Sequence, residues 1–380
     1  MRDLFPCFNA SLRTIPRRNH IMTRAYNFNP GPASLPKSVL EQAKAELLNW
    51  QNLGASLMEI SHRSPEFMAM ARETEQDLRE LLNIPDNYKI LFLQGGGRSQ
   101  FSMVPLNLLR GKTTADYLDT GMWSNMALKE AMRYAYVNIV ASSADQQYRT
   151  IPQPSSWKKN PQAAYFHYVD NETVDGNECP EIPNITDVPL VCDMSSNLLS
   201  RVIDIKKFGL IYAAAQKNIG ISGLTVVIVR EDLLGDALPI TPMMFNYTLH
   251  ANAHSLLNTS PTFAWYITGL VLKWLKEQGG VQSIEKINAQ KAKKLYDYLD
   301  NSSLYENHIE PTYRSRMNVV FKLKDENLNA SFLVEAKAAG LIGLKGHQLV
   351  GGMRASLYNA VSEQAVDALI GFMREFERKT

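Results

Sequence analysis

The stretch Phe208-Gly-Leu-Ile-Tyr-Ala-Ala-Ala-Gln-Lys-Asn-Ile-Gly-Ile-Ser-Gly223 runs directly into Leu224-Thr-Val-Val-Ile-Val229, so two apolar runs stand one glycine-spaced loop apart. Each run reads as a buried strand. A parallel crossover needs about a dozen residues or more, and this loop is shorter, so the second strand is expected to run antiparallel to the first. The loop also carries Lys217, between two segments that belong inside a sheet. Burial disfavours the ammonium form and lowers the lysine pKa, which suits an amine that attacks a carbonyl or carries a Schiff base. An isolated turn lysine is ordinarily a surface residue. Lys217 has company elsewhere in the chain.

With 380 residues, 45% of them hydrophobic, the chain has material for two or three domains and a large core. A formal net charge of +2 gives no general attraction to nucleic acid or to an anionic membrane, so the expected partner is a small molecule met by local charge. Cys7, Cys179 and Cys192 form no CxxC pair and no metal-ligand spacing; they point to a reducing cytoplasm and to no metal site. Residues 1–22 hold Arg2, Arg13, Arg17 and Arg18 against the single acid Asp3 and read as a disordered extension. That composition fits a targeting peptide but lacks the apolar centre of a secretory signal, and translation from Met22 is the simpler reading. The most apolar helix, residues 263–275, is too short to span a bilayer and contains Lys273, so it is expected in the core.

From residue 36 onward helices and strands alternate. Pro36 suits a first helical turn, Val39, Leu40, Ala43, Leu47 and Leu48 recur at helical spacing, and Gly54 closes that segment. Ser64-Pro65-Glu66 opens a second helix with Phe67, Met70, Ala71, Thr74, Leu78 and Leu81 on one face, stopped by Pro85. Strands are expected at 88–93, 115–118, 136–140, 164–169, 189–192, 210–214 and 224–229, with gaps long enough for crossover helices. The fold class is therefore α/β, a mainly parallel seven-stranded sheet flanked by helices. Past residue 276 come a charged helix at 280–300, a strand at 316–323 and helices at 330–339 and 362–378, which read as a smaller α+β domain hinged at Gly279-Gly280. The expected division is 23–35 packing with the small domain, 36–277 as the large domain and 278–380 as the small one.

Three further sites, all earlier in the chain, give Lys217 its context. Leu93-Gln-Gly-Gly-Gly-Arg-Ser-Gln-Phe101 follows a strand and leads into a helix, where glycines let backbone N–H groups approach an anion and Arg98 or Ser99 adds donors. It lacks the lysine of a Walker A loop, and alone it reads equally well as a glycine turn. Asp193 closes the strand before Met194-Ser-Ser196, where open α/β sheets present functional groups; a carboxylate there can keep a pyridine nitrogen protonated, or simply cap a turn. Trp123 in Thr120-Gly-Met-Trp-Ser124 stands after a strand, placed either to stack on a flat cofactor or to pack.

A phosphate cup, a stacking aromatic, a carboxylate and a shielded lysine are the requirements of an enzyme that uses pyridoxal 5′-phosphate. The chain resembles the phosphoserine aminotransferases, homodimeric enzymes of the aspartate-aminotransferase fold, from about Tyr26 to the C-terminus. The resemblance is carried by Asn27-Phe-Asn-Pro-Gly-Pro-Ala33, Ser61-His-Arg63, Gln94-Gly-Gly-Gly-Arg98, Thr120-Gly-Met-Trp123, Glu172-Thr-Val-Asp-Gly176, Asp193-Met-Ser-Ser196, Gln216-Lys217-Asn218, Asn258-Thr259 and Gly346-His347 with Gly351-Gly-Met-Arg354. It implies that Lys217 carries the cofactor as a Schiff base, Asp193 pairs with its ring nitrogen, Trp123 stacks on the ring and Thr173 bonds near its phenolate oxygen. It also implies that Gly97, Arg98 and Gln216 bind the cofactor phosphate, with Asn258 and Thr259 reaching it from the other subunit.

For substrates, the resemblance assigns the α-carboxylate to Arg354 and the phosphate of phosphoserine, or the distal carboxylate of glutamate, to His62, Arg63 and His347. Each of these is otherwise an ordinary surface or capping residue. After His347 the family commonly carries arginine, whereas Gln348 stands here. The implied reaction passes the amino group of glutamate to 3-phosphohydroxypyruvate, yielding 2-oxoglutarate and phosphoserine for serine biosynthesis; the family also acts on a phosphorylated hydroxythreonine where pyridoxine is made de novo. Alternatives are another enzyme of the same fold, such as an alanine–glyoxylate aminotransferase or a cysteine desulfurase using Cys179, and, from another class, a catalytically idle regulator or RNA-binding protein. The weak net charge and the presence of both Lys217 and Asp193 count against the last.

Overall fold

The computed structural model describes residues 24–380; the expectations for residues 1–22, Cys7 among them, lie outside the described residues. Strand β1 (Tyr26–Asn27) is followed by helix α1 (Lys37–Glu46), which buries Val39 and Ala43 and ends well before Gly54. Leu40, Leu47 and Leu48 are exposed, so apolar spacing here continues past the face that meets the core. The chain then turns, with Gln51 and Asn52 at positive φ. Helix α2 (Pro65–Leu82) is capped as its residues require: Ser64 Oγ accepts the N–H of Phe67, Pro65 opens the first turn and Asn83 closes it in the left-handed conformation. Leu82, with Phe67, Met70, Ala71, Thr74 and Leu78, faces the core, while Leu81 is only partly covered.

The main sheet contains β2 (Tyr88–Gln94), β3 (Thr114–Asp119), β4 (Tyr136–Ser142), β5 (Phe166–Val169), β6 (Leu190–Asp193), β7 (Leu210–Ala214) and β8 (Leu224–Arg230) in the order β2-β8-β7-β6-β5-β3-β4. β8 pairs antiparallel with both β7 and β2, and every other pairing is parallel. The short Lys217 loop thus returns the chain beside its own strand, as loop length requires. Helices α3 (Gly97–Leu108) and α4 (Met122–Ala131) leave the ends of β2 and β3, so both begin at the edge where β5, β6 and β7 also finish.

After the short α5 (Tyr247–Asn252), α6 (Thr262–Glu277) packs against α1 and α2, burying Trp265 between Phe67 and Phe92. Gly279 and Gly280, both at positive φ, then lead into α7 (Gly280–Asp300). Beyond it β9 (Tyr305–Glu306) and β10 (Asn318–Leu323) are followed by α8 (Asn329–Ala338), β11 (Leu341–Ile342), β12 (Met353–Ser356) and α9 (Glu363–Lys379). β12, β10 and β9 form an antiparallel sheet over a second apolar core that includes Leu295, Phe321, Phe332, Leu369 and Met373. Phe28 enters that core, because β1 pairs in parallel with β11. Among the described residues no helix is long and apolar enough to cross a membrane.

Candidate active site

Open α/β sheets gather functional groups at the carboxyl ends of their strands, and that edge holds a cavity of about 270 Å³ here. Its lining includes Gly95 to Arg98, Trp123, Thr173, Asp193, Gln216 and Lys217. Gly95 and Gly96 adopt φ of +113° and +115°, which admits the backbone turn into α3. A Cβ at Gly97 would stand 3.3 Å from Ser195 Oγ and 3.8 Å from Asp193 Oδ2, so the start of this helix faces the carboxylate across the cavity.

Lys217, half-buried, donates from Nζ to Thr173 Oγ1 at 2.6 Å. Burial lowers its pKa to about 8, against the opposing pull of Asp193, and the charge of Arg354 lowers it further. Asp193 is buried; desolvation raises its pKa, while the Ser195 side chain and backbone N–H, Lys217 and Tyr212 work in the other direction. Ser195 N donates to Asp193 Oδ1 at 2.8 Å. The N-terminal segment borders the same loop: Ala33 N donates to Gln216 O at 2.9 Å, and Gly31 faces the side chains of Gln216 and Lys217.

Trp123 lies in the first turn of α4, with the Arg98 guanidinium 5.6 Å from its ring centroid. Its position depends on a residue to which sequence reasoning gave no role. The two carboxylate oxygens of Glu172 accept the N–H groups of Trp123 and Ser124, each at 2.8 Å, and Asp175 Oδ2 accepts that of Met122 at 2.8 Å. These acids cap the helix. Burial raises the pKa values of both acids, helped at Glu172 by the charge of Asp175 and at Asp175 by that of Asp119. The signal was present in two acids flanking Thr173 and Val174, but a cap supplied from about fifty residues away leaves no local pattern.

Arg354 is buried and donates from Nη1 to the Thr173 carbonyl at 3.0 Å, which ties it to the residue that bonds Lys217. Its Nε is buried without a partner. His347 opens on a second cavity, of about 750 Å³, that reaches Arg98 and is flanked by Lys129, Arg149 and Lys322. The other expected residues are elsewhere. His62 and Arg63 precede α2 and line neither cavity; Asn258 and Thr259 are exposed, their oxygens accepting from Gln94 Nε2 at 2.7 and 3.0 Å. Gln348 is exposed and also outside both linings. Cys179 and Cys192 are buried, and desolvation pushes both thiols well above their ordinary range, so neither offers the thiolate a desulfurase needs.

The chain belongs to the class-V aminotransferases, whose family model matches residues 25–369. Within that class its similarity is to phosphoserine aminotransferases. That of Hahella chejuensis is 57% identical over 93% of this chain and 98% of its own, and that of Coxiella burnetii 54% over 94% and 99%. The phosphoserine aminotransferase of Trichomonas vaginalis, solved with pyridoxal phosphate bound, superposes with a TM-score of 0.89 at 42% identity over 92% of this chain and all of that one. An alanine–glyoxylate aminotransferase from Nostoc, at 17% identity and a TM-score of 0.71, shares the fold alone.

The cofactor is pyridoxal 5′-phosphate, and the residues present fit it. A small cavity joins an amine of lowered pKa, a buried carboxylate, an indole whose Nε1 is buried without a partner, and a glycine-opened helix start beside Arg98.

Proposed function

We propose that the chain catalyses reversible amino transfer between L-glutamate and 3-phosphohydroxypyruvate, giving 2-oxoglutarate and O-phospho-L-serine for serine biosynthesis. The observation that carries this reading is the Lys217 amine bonded to Thr173 and in the field of Asp193, inside a chain so similar to phosphoserine aminotransferases. When bound, the cofactor supplies an electron sink that makes the substrate Cα–H acidic.

The chain's own residues do the rest. Lys217 would hold the cofactor covalently and, once displaced by the amino substrate, act as base and acid at the substrate Cα, a task suited to an amine with a pKa of about 8. Asp193 would hold the ring nitrogen protonated, Trp123 would cover the ring and Thr173 would donate to its phenolate oxygen. Gly97, Arg98 and Gln216 would bind the cofactor phosphate. Arg354, with Nε free, would clamp the α-carboxylate, for which a guanidinium fork has matching geometry. His347 would take the distal anion.

Assembly as a homodimer belongs to the same proposal. His62, Arg63, Asn258 and Thr259 stand away from the cavities of their own chain, an arrangement in keeping with service to a neighbouring subunit's site. Cytoplasmic residence, supported by two buried free cysteines, and small-molecule partners without nucleic acid or membrane complete the reading.

The test is a coupled assay for 2-oxoglutarate with purified protein and pyridoxal phosphate. Turnover with glutamate and 3-phosphohydroxypyruvate is expected to exceed that with alanine and glyoxylate by orders of magnitude. The reverse preference would replace this function by the alternative.

A further inference from the structure

Behind Asp193 the sheet holds a polar pair inside apolar packing. Asp193 on β6 is in register with Tyr212 on β7, and His167 on β5 is in register with Tyr117 on β3. His167 and Tyr212 are 1% and 0% exposed, and His167 Nε2 lies 2.9 Å from the Tyr212 hydroxyl. The imidazole stacks on Tyr117 at 4.6 Å between centroids, with 24° between planes, and lies nearly parallel to the Tyr212 ring at 6.0 Å. Tyr117 spends its own hydroxyl on Tyr165, at 2.8 Å. Burial drives the His167 pKa down to about 3, so the ring is neutral and carries one proton.

The position of that proton follows from the orphaned atom. His167 Nδ1 is buried without a partner. Buried N–H groups are almost never left unpaired, whereas an unused acceptor is tolerated more readily, so Nδ1 is the lone-pair nitrogen and Nε2 carries the hydrogen. An Nε2–H can only donate to the Tyr212 oxygen, which leaves the phenolic proton free. The acceptor beside it in the sheet is Asp193, in register with Tyr212 across β6 and β7, whose ionised form Tyr212 favours.

We propose that His167 and Tyr212 are positioning residues that act through Asp193, His167 Nε2–H donating to the Tyr212 hydroxyl and so turning that hydroxyl's proton toward the carboxylate. With Ser195, this surrounds a desolvated carboxylate with donors and holds it ionised where it meets the cofactor ring nitrogen. The proposal rests on the assignment of Asp193 to that nitrogen.

The experiment uses holoenzyme loaded with cofactor labelled with 15N in the ring, alongside titration of unlabelled pyridoxal phosphate into the apoprotein. Wild type should show a protonated ring nitrogen. Tyr212→Phe should move its resonance toward the neutral pyridine position and weaken cofactor affinity about tenfold, since a hydrogen bond to a charged group is lost. Its kcat should fall while KM for glutamate stays within about twofold. His167→Phe should produce a smaller shift in the same direction, and His167→Gln, whose amide can still donate, should restore most of it. An unchanged resonance and affinity in Tyr212→Phe would overturn the relay but leave Asp193 in place, whereas a neutral nitrogen in wild type would overturn the Asp193 assignment itself. Should the variants fail to fold, long-range 15N–1H correlation on wild-type His167 decides: a proton on Nε2 supports the relay, and one on Nδ1 overturns it.

Discussion

Asp193 ends β6 and Lys217 stands in the short turn that joins β7 to its antiparallel partner β8, and one chain suffices to place both on a single cavity. His62, Arg63, Asn258 and Thr259 instead occupy loops and reach neither that cavity nor the larger one beside it. The inner groups inherit their geometry from sheet hydrogen bonds laid down on folding, whereas the outer ones depend on loops and on whatever those loops meet. On the proposed assignment, proton transfer is therefore on the rigid side of the site, and only the outer part of anion recognition falls to the adaptable side.

The largest effect should come from the inner side. Lys217→Ala should cut turnover by at least about 10³-fold, the scale of general acid and base catalysis, while the cofactor still binds through Asp193, Trp123 and the glycine-opened helix. Single-turnover absorbance with glutamate measures it, and near-native rates would remove Lys217 from its role. Only the free amine reacts with the cofactor carbonyl. Uptake of pyridoxal phosphate by wild-type apoprotein should therefore speed up as pH rises through about 8, the pKa of Lys217, and level off above it.

Asp193→Asn should be the next most damaging change, lowering kcat roughly 100-fold, because a neutral amide cannot hold the ring-nitrogen proton. Circular dichroism should show the fold retained, since an amide can still accept the Ser195 N–H. Activity within a few-fold of wild type would reduce the carboxylate to a turn cap and erase the distinction between the two sides.

How far each side was legible in the sequence follows the same division. The loop between β7 and β8 announced its own topology, and most strands fall within about two residues of their expected limits, because alternation and run length are local properties. Helix α1 was overextended, since Leu47 and Leu48 keep helical spacing after the helix has left its packing partner. Glu172 and the pairing of His167 with Tyr212 were invisible for another reason. Their partners come from elements far apart in the chain, helix α4 for Glu172 and strand β7 for His167, which no local pattern records.

The outer side is tested by assembly. If Asn258 and Thr259 complete a neighbouring subunit's phosphate site, dilution to monomers should weaken cofactor binding by about tenfold or more through the loss of charge-assisted hydrogen bonds. Sedimentation followed at the cofactor's absorbance reads both quantities together. A monomer with full affinity would show that the inner side is self-sufficient and would confine these two residues to their contacts with Gln94.

The smallest expected effect belongs to Gln348, which stands where the resemblance leads one to expect arginine. A guanidinium close to a bound phosphate could add a bidentate charge-assisted contact. Gln348, however, is exposed and lies outside the cavity that His347 and Leu349 line, where Arg98, Lys129, Arg149 and Lys322 already supply positive charge. Solvent screening and these existing cations both reduce what one more can contribute. Gln348→Arg should strengthen phosphoserine binding by only about threefold, in the range of exposed ion pairs, with glutamate gaining less because its distal carboxylate carries less charge. Titrating both amino acids into wild type and variant while following the cofactor's absorbance gives the comparison. A gain of about a hundredfold would require position 348 to be desolvated against the phosphate in the working enzyme, and would move this loop from the adaptable side of the site to the preorganised one.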